Sequence, residues 1–398
     1  MTLALAGKSN ALIECLNFSI NYIGKENILI VPALNDSRED SWQYSITRYC
    51  ERKGLKICNI EDLYPLNDLI FISIQFDKLI DISKFKSKKL YNIHFSYLPF
   101  YKGMYPIIWP IINQEEFSGV TIHKLDWGID TGAIVDQIKI YLTDNTTSRD
   151  LYFSCLDNAV KLFKNNLSKL INDELIIADQ PINRGSYYSK KTFDFLNPKI
   201  DLDKTACEIS AQFRALIFPE YQYPKFLDME ISKVEIIPER SYVKPGKVLE
   251  NNDHYFLISS VDYNLRLYKS YSNQLFNAIE TSNIDNILKL MDKVANELEN
   301  KNKNGWTALM MAAFKNDYEM VRILVENGAD VNAKDFKGMS VLMYAIKGAI
   351  KSKKIDALDY LIRKGANIDD YDNEGNSLIS YAEIECDNEI LNYLKKLK

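Results

Sequence analysis

Short apolar runs alternate with amphipathic stretches through the first third of the chain. Residues 3–6 form one run, ending at Gly7, and residues 27–31 form a second, closed by Pro32. Residues 69–74 are another continuous run, and the stretch 89–95 follows. Between them, a helix starting near Asn10 would carry Ala11, Leu12 and Cys15. Residues 41–49 also read as helical, and Gly54 punctuates before the run at 55–60. Runs of this length without polar alternation suit strands covered on both faces, so the pattern predicts an open, mostly parallel α/β sheet. Ligands of such sheets sit beyond the carboxyl ends of the strands. Gly7, residues 75–78 and His94 all fall at such ends, which places one crevice there.

The pattern then changes twice. The polar stretch 143–148 marks a boundary, and Thr147 or Ser148 is suited to cap a helix. Leu151, Cys155, Ala159, Leu162, Phe163, Leu167 and Leu170 follow at steps of three and four, the signature of an amphipathic helix. A further helix is expected from Asp203, with Ile209, Phe213 and Leu216 on one face. Residues 234–237, 246–249, 255–259 and 264–268 read as strands or hairpins. From about Ser272 the chain repeats itself. Gly305-Trp306-Thr307-Ala308-Leu309 recurs as Gly338-Met339-Ser340-Val341-Leu342 and as Gly375-Asn376-Ser377-Leu378-Ile379. Gly328-Ala329-Asp330 recurs as Gly365-Ala366-Asn367. Gly305 to Gly338 is 33 residues, the ankyrin period; Gly338 to Gly375 is 37, so the second repeat carries four extra residues, expected near 348–354. Residues 275–298 read as a degenerate first unit and 387–398 as a terminal one.

With 398 residues the chain is too long for one core. Three parts are expected: 1–146, 147–271 and an all-α repeat part, 272–398. A net charge of −5 disfavours a phosphate-binding surface over the whole protein. Cys15, Cys50, Cys58, Cys155, Cys207 and Cys386 show no Cys-x-x-Cys spacing, so reduced thiols and a cytoplasmic location are expected. The start reads as a first strand rather than a signal peptide, and no apolar run reaches the ~18 residues of a membrane span. His94, His123 and His254 do not pair at metal-ligand spacing, so no metal is expected. Gly7-Lys8-Ser9 lacks the glycine that a phosphate loop needs five residues earlier, because position 2 is Thr.

Chemistry concentrates between residues 91 and 136. Asn92 and His94 stand two apart before Pro99 and Gly103, and Asp130 precedes Thr131-Gly132 in another turn. An amide, an imidazole and a carboxylate beside turns suit general acid–base chemistry. Asn-x-His-x-Ser-x-Leu-Pro, then Lys102-Gly103 and Asp-Thr-Gly, resembles the signature of the formyltransferases that use 10-formyltetrahydrofolate. The resemblance implies that Asn92, His94 and Asp130 are catalytic, with 10-formyltetrahydrofolate as cosubstrate and no metal. Tyr97, Lys102 and Ala133 depart from the commoner pattern and point away from the methionyl-tRNA branch. In such chemistry Asn92 would donate to a developing oxyanion, worth ~3–4 kcal/mol of barrier. His94 or Asp130 would take the proton from the amine; the sequence leaves both open.

The segments Ser41-Trp42-Gln43 and Phe76-Asp77-Lys78 are similar to the sugar formyltransferases, in particular a dTDP-amino-dideoxyhexose N-formyltransferase with an ankyrin extension. The 3-amino-3,6-dideoxyglucose type is favoured over a 4-amino acceptor. The resemblance implies an acceptor used for surface polysaccharide (O-antigen, lipopolysaccharide), a homodimer formed through the β-rich segment, and no nucleic-acid partner. It further implies cofactor contacts from Phe76, Asp77, Gly128 and Ile129, and substrate contacts from Lys78 and Arg214; Trp42, Tyr221 and Tyr223 are aromatic candidates for stacking a nucleobase of the substrate. The repeats do no chemistry in general and bind partners. Trp306, in an outward slot of its repeat, is expected to contribute to a second ligand or partner site. Other readings are methionyl-tRNA formylation, disfavoured by charge and the C-terminal part, and a non-catalytic ankyrin scaffold, disfavoured by the intact Asn92, His94 and Asp130.

Overall fold

The computed structural model describes residues 1–181, 184–384 and 387–397. The chain opens with β1 (Thr2–Gly7), α1 (Asn10–Ile23), β2 (Ile28–Pro32), α2 (Ile46–Lys53), β3 (Leu69–Ile74) and β4 (Lys89–His94). These four strands pair in parallel, in the order β2-β1-β3-β4. All six residues of β3 are buried, as a strand sandwiched between helices requires. The helix expected over 41–49 begins only at Ile46. Ser45 caps it, its hydroxyl accepting from the Arg48 N–H, and the residues before it take an irregular path. The run at 55–60 forms a single bridge, Ile57 to Ile30, rather than a strand.

β5 (Lys102–Gly103), α3 (Ile108–Ile112), β6 (Phe117–Lys124) and β7 (Ile134–Tyr141) follow. β6 runs antiparallel to β4, and β7 antiparallel to β6, closing a six-stranded sheet. Thr147 and Asp150 then form a capping box at the start of α4 (Ser148–Asn172). Leu151, Cys155, Ala159, Leu162, Phe163, Leu167 and Leu170 pack into the same core as Leu3, Leu5, Leu12, Leu16 and Ile72. The first core therefore runs past the boundary expected at residue 146, because α4 packs beside α1 on the same face of the sheet.

β8 (Tyr187–Tyr188) pairs with β5. α5 (Ala206–Arg214) starts behind the Thr205 cap, later than expected. It lies on an antiparallel sheet of β9 (Lys225–Phe226), β10 (Met229–Arg240), β11 (Val248–Asn251), β12 (Tyr255–Ile258) and β13 (Tyr263–Lys269). Ala206, Ile209 and Phe213 pack against Ile231, Val234, Phe256, Leu265 and Leu267 to form this part's own core. Cys15, Cys50, Cys58, Cys155 and Cys207 are free thiols, and Cys386 lies outside the described residues.

The repeats fold as helix pairs: α6 (Ser272–Glu280) with α7 (Ile284–Val294), α8 (Ala308–Lys315) with α9 (Tyr318–Glu326), α10 (Val341–Ser352) with α11 (Asp356–Arg363), and α12 (Leu378–Ile384) with α13 (Asn388–Leu397). Thr307 and Ser340 cap α8 and α10 in the same way, each hydroxyl accepting from the N–H three residues on. The extra residues of the second repeat lengthen its first helix: α8 has 8 residues and α10 has 12. No helix among the described residues is long and apolar enough to cross a membrane. Within α10, Gly348 faces α8 so closely that a Cβ would lie 2.4 Å from the Ala313 carbonyl oxygen. Gly348→Val should therefore destabilise the array by about 1–3 kcal/mol through overpacking, read as a lower urea midpoint.

Candidate active site

β4 ends the parallel run of strands, and its last residues carry Asn92 and His94 to the carboxyl edge. The chain then loops back through Tyr101 and Gly103. The imidazole of His94 donates from Nε2 to the Tyr101 carbonyl oxygen at 2.9 Å, since a carbonyl can only accept. In the neutral ring this leaves Nδ1 without a proton. Nδ1 lies 3.5 Å from Oδ2 of Asp130. Asp130 arrives from the loop between β6 and β7 in a left-handed conformation, φ 56°. The Gln180 amide holds that loop, donating to the carbonyl oxygens of Asp130 (2.9 Å) and Gly132 (2.8 Å).

Asp130 is nearly enclosed, its side chain 11% exposed. Its Oδ2 accepts the Gly103 N–H at 2.8 Å. Gly103 is required there: its φ is 87°, and a Cβ would meet the Tyr188 carbonyl oxygen at 2.3 Å. Burial by itself pushes the Asp130 carboxyl up. When His94 is protonated its charge, then the hydrogen bond and charge of His123 and the Gly103 N–H, reverse this and hold the carboxyl well below the usual carboxylate range.

His123 belongs to this cluster, though the sequence reading gave it no role. β6 pairs antiparallel with β4, and the register sets His123 opposite Asn92. Its Nδ1–H donates to the Lys124 carbonyl oxygen at 2.8 Å, so Nε2 faces inward, 3.2 Å from Asn92 Nδ2 and 3.4 Å from Asp130 Oδ1. On the other side of Asn92, the buried Ser73 hydroxyl donates to Oδ1 at 2.8 Å. The amide oxygen is thus engaged by β3, and the N–H₂ end is turned toward Asp130, 3.4 Å away. Ser73, His123, Tyr101 and Gln180 carry no local signal. Only strand register and loop closure bring them in. The outcome is an amide N–H donor, an unprotonated imidazole nitrogen and a carboxylate converging on one point.

Other expected residues lie elsewhere or are already engaged. Gly128 and Ile129 stand on the exposed loop that delivers Asp130, beside Trp127, which is 81% exposed, so an apolar lip flanks the three. Phe76 packs partly into a second small core with Ala4, Ala6 and Val31. The Asp77 carboxylate accepts the N–H groups of Leu34 (2.9 Å) and Asn35 (3.1 Å), tying the loops after β2 and β3 together. Lys78 ion-pairs with Glu61 at 2.9 Å. Arg214 donates to the Thr146 carbonyl oxygen at 2.8 Å and braces α5 against the turn before α4. Tyr221 and Tyr223 line a cleft of about 840 Å³ between the middle part and the repeats, alongside Lys301 and Lys303. Tyr223 is buried there and accepts from Asn300 at 3.0 Å. Trp42 is also buried, so it cannot stack a base. Trp306 is half-buried against Phe314 and Tyr344, ring centroids 5.2 and 4.8 Å away. Among the described residues no group of His, Cys, Asp and Glu is arranged to hold a metal.

The site is thus an amide and an imidazole at the end of one strand of a mostly parallel sheet, with a carboxylate brought to them by the β6–β7 loop. Residues 71–167 match the formyl transferase family, and residues 254–335 and 275–372 match ankyrin repeats, in three copies. The chain is 38% identical to an N-formyltransferase from Helicobacter canadensis solved with folinic acid and dTDP-3-aminofucose. That likeness covers 68% of this chain and 100% of that one, with a TM-score of 0.64. It is 39% identical to WlaRD, a sugar 3N-formyl transferase solved with dTDP and 5-N-formyl-THF, over 68% of this chain and 97% of that one, again with a TM-score of 0.64. Among curated relatives, it is 28% identical to the bifunctional polymyxin resistance protein ArnA of Wigglesworthia glossinidia brevipalpis; the match takes in 59% of this chain and 36% of that protein's length. The chain belongs to the sugar N-formyltransferases and carries a C-terminal ankyrin array.

The contacts of His123 predict that His123→Leu lowers kcat by roughly 10²-fold, because Asn92 and Asp130 lose a shared partner and shift. The KM for each substrate should move far less. Steady-state kinetics beside a circular dichroism check of folding would measure this.

Proposed function

We propose that this protein transfers a formyl group from 10-formyltetrahydrofolate to the 3-amino group of a dTDP-linked amino-dideoxyhexose. The observation that carries the reading is the convergence of Asn92, His94 and Asp130 in one nearly enclosed cluster. The amine nitrogen attacks the formyl carbon, and the carbonyl oxygen gains negative charge. The Asn92 N–H₂, already aimed inward by the Ser73 hydroxyl, donates to that oxygen. His94 takes the proton released by the amine at Nδ1, since Nε2–H is held by the Tyr101 carbonyl. Asp130 stands beside the resulting imidazolium and stabilises it. The bond from the formyl carbon to folate N10 then breaks, and the same proton passes to N10. Each bond made or broken is thereby matched, with no net proton change.

The apolar lip of Trp127 and Ile129 beside Asp130 suits a flat ring such as the folate pterin. The 3-amino position is supported by the two solved relatives, one bound to dTDP-3-aminofucose and the other a sugar 3N-formyl transferase. Surface-polysaccharide synthesis in the cytoplasm is the setting such a product suits. Pairing of two copies through the five-stranded sheet is supported by the exposed Ile236, Tyr242, Val243 and Leu249 on and beside its strands.

Mass spectrometry with 10-formyltetrahydrofolate and a panel of dTDP-linked 3-amino and 4-amino dideoxyhexoses tests the reading. One formyl group should be gained on a 3-amino sugar, and none with His94→Asn. Formylation of only a 4-amino sugar, or of none, would overturn it.

Trp306, with Phe314 and Tyr344 behind it, offers a half-exposed aromatic face on the repeats, and the reading includes a second ligand site there. Trp306→Ala should lower the stoichiometry of nucleotide-sugar binding from two per chain to one by calorimetry. An unchanged stoichiometry and unchanged kinetics would sink that part.

A further inference from the structure

The fingertips of three successive repeats land on one segment of the catalytic part, residues 40–53. At the first tip, the Lys303 carbonyl oxygen accepts the Trp42 N–H at 3.3 Å. Gly305 lies so close that a Cβ there would be 3.0 Å from Trp42 Cα. At the second tip, Phe336 is the residue of the repeats that joins the catalytic core. Its ring stacks on Phe153 of α4, centroids 5.2 Å apart at 7°, and meets Trp42 edge-on at 5.9 Å. Next to it, the Lys337 ammonium lies 3.2 Å from the carboxylate of Asp40, which is almost fully buried. At the third tip, Glu374 pairs with Arg52 at 2.9 Å. An ankyrin array meets partners through these tips and its concave face. Here the tips are occupied by the chain itself.

The clamped segment reaches the crevice. Asn10, at the start of α1, accepts the Tyr44 N–H at 3.0 Å. Gln43 donates to the Tyr152 hydroxyl at 2.5 Å, and that hydroxyl donates to Gln75 at 3.0 Å. Gln75 is the first residue beyond β3, two after the Ser73 that holds Asn92, and it sits at φ 53°. β1 is flanked by β2 on one side and β3 on the other, so the strand order reverses at the carboxyl ends of β1 and β3, where open α/β sheets bind ligands. Segment 41–44 therefore walls the crevice on the β1 side. The loop bearing Trp127, Ile129 and Asp130 walls it on the β6–β7 side.

We infer that the ankyrin array is an intramolecular clamp on the acceptor half of the active site, and that Phe336 is a positioning residue acting through Trp42 and Tyr152 on Gln43 and Gln75. Assignment of the β1 side to the acceptor rests on the function proposed above; the clamp itself does not.

The test uses the full chain. Phe336→Ala should raise KM for the amino sugar by about tenfold, leave KM for 10-formyltetrahydrofolate within about twofold, and change kcat little. Phe336→Tyr should restore the sugar KM. In hydrogen exchange without ligands, the amides of residues 41–49 should exchange at least about tenfold faster in Phe336→Ala, while those of β1 and β3 stay protected. Glu374→Arg should loosen the same amides, and Arg52→Glu combined with Glu374→Arg should tighten them again. Unchanged exchange at 41–49 in a folded Phe336→Ala protein would overturn the clamp. Faster exchange with an unchanged sugar KM would overturn the positioning role. If the wild-type chain formylates no sugar of the panel, the proposed function fails, and the exchange measurements still decide the clamp.

Discussion

A carboxylate nearly enclosed at the end of a sheet is costly unless donors surround it. Asp130 is such a group, and much of the site follows from satisfying it. Gly103 supplies an N–H, His94 and His123 stand on either side of its two oxygens, and the Asn92 amide closes the ring. The loop that carries Asp130 is itself held by Gln180 from a distant stretch of chain. The chemistry is set by contacts just behind these: the Tyr101 carbonyl fixes which nitrogen of His94 is bare, and the Ser73 hydroxyl fixes which end of the Asn92 amide points inward.

The catalytic sheet and the repeats are separate cores, yet they share a border built from aromatic rings. Trp42 sits among Tyr152, Phe153, Phe218, Tyr221 and Phe336, a set drawn from the loop after β2, from α4, from the turn after α5 and from a repeat fingertip. Rings meeting edge to face favour specific geometries. The border therefore transmits position, which an exposed linker would not do. It also explains why Trp42 is unavailable for stacking a base: its faces are covered from within the chain.

Much of the architecture was legible along the chain. Unbroken apolar runs announced buried parallel strands, and steps of three and four announced α4. The 33-residue period announced the repeats, and the four extra residues reappear as the longer α10. Boundaries were less legible. Residues 41–45 look helical by composition, but the Ser45 cap starts the helix after them. Residue 146 looks like a domain end because it is polar, although α4 beyond it completes the first core. Lys78 and Arg214 came from the family resemblance; what the sequence did not show is that Glu61 pairs with the first and the Thr146 carbonyl accepts from the second.

By itself the sequence determined the groups whose spacing is local. Asn92 and His94 share a short strand end, Asp130 sits in its Asp-Thr-Gly turn, and each repeat carries its own caps and glycines. These need only neighbouring residues to take shape. The tertiary structure alone decided His123, which enters the site through the antiparallel register of β6 on β4, and Ser73, which enters through the neighbouring strand β3. It alone decided that Phe336, almost three hundred residues from Trp42, would complete the catalytic core. Contacts of that kind arise from how sheets and arrays pack, and packing leaves no periodic mark on the chain that makes it.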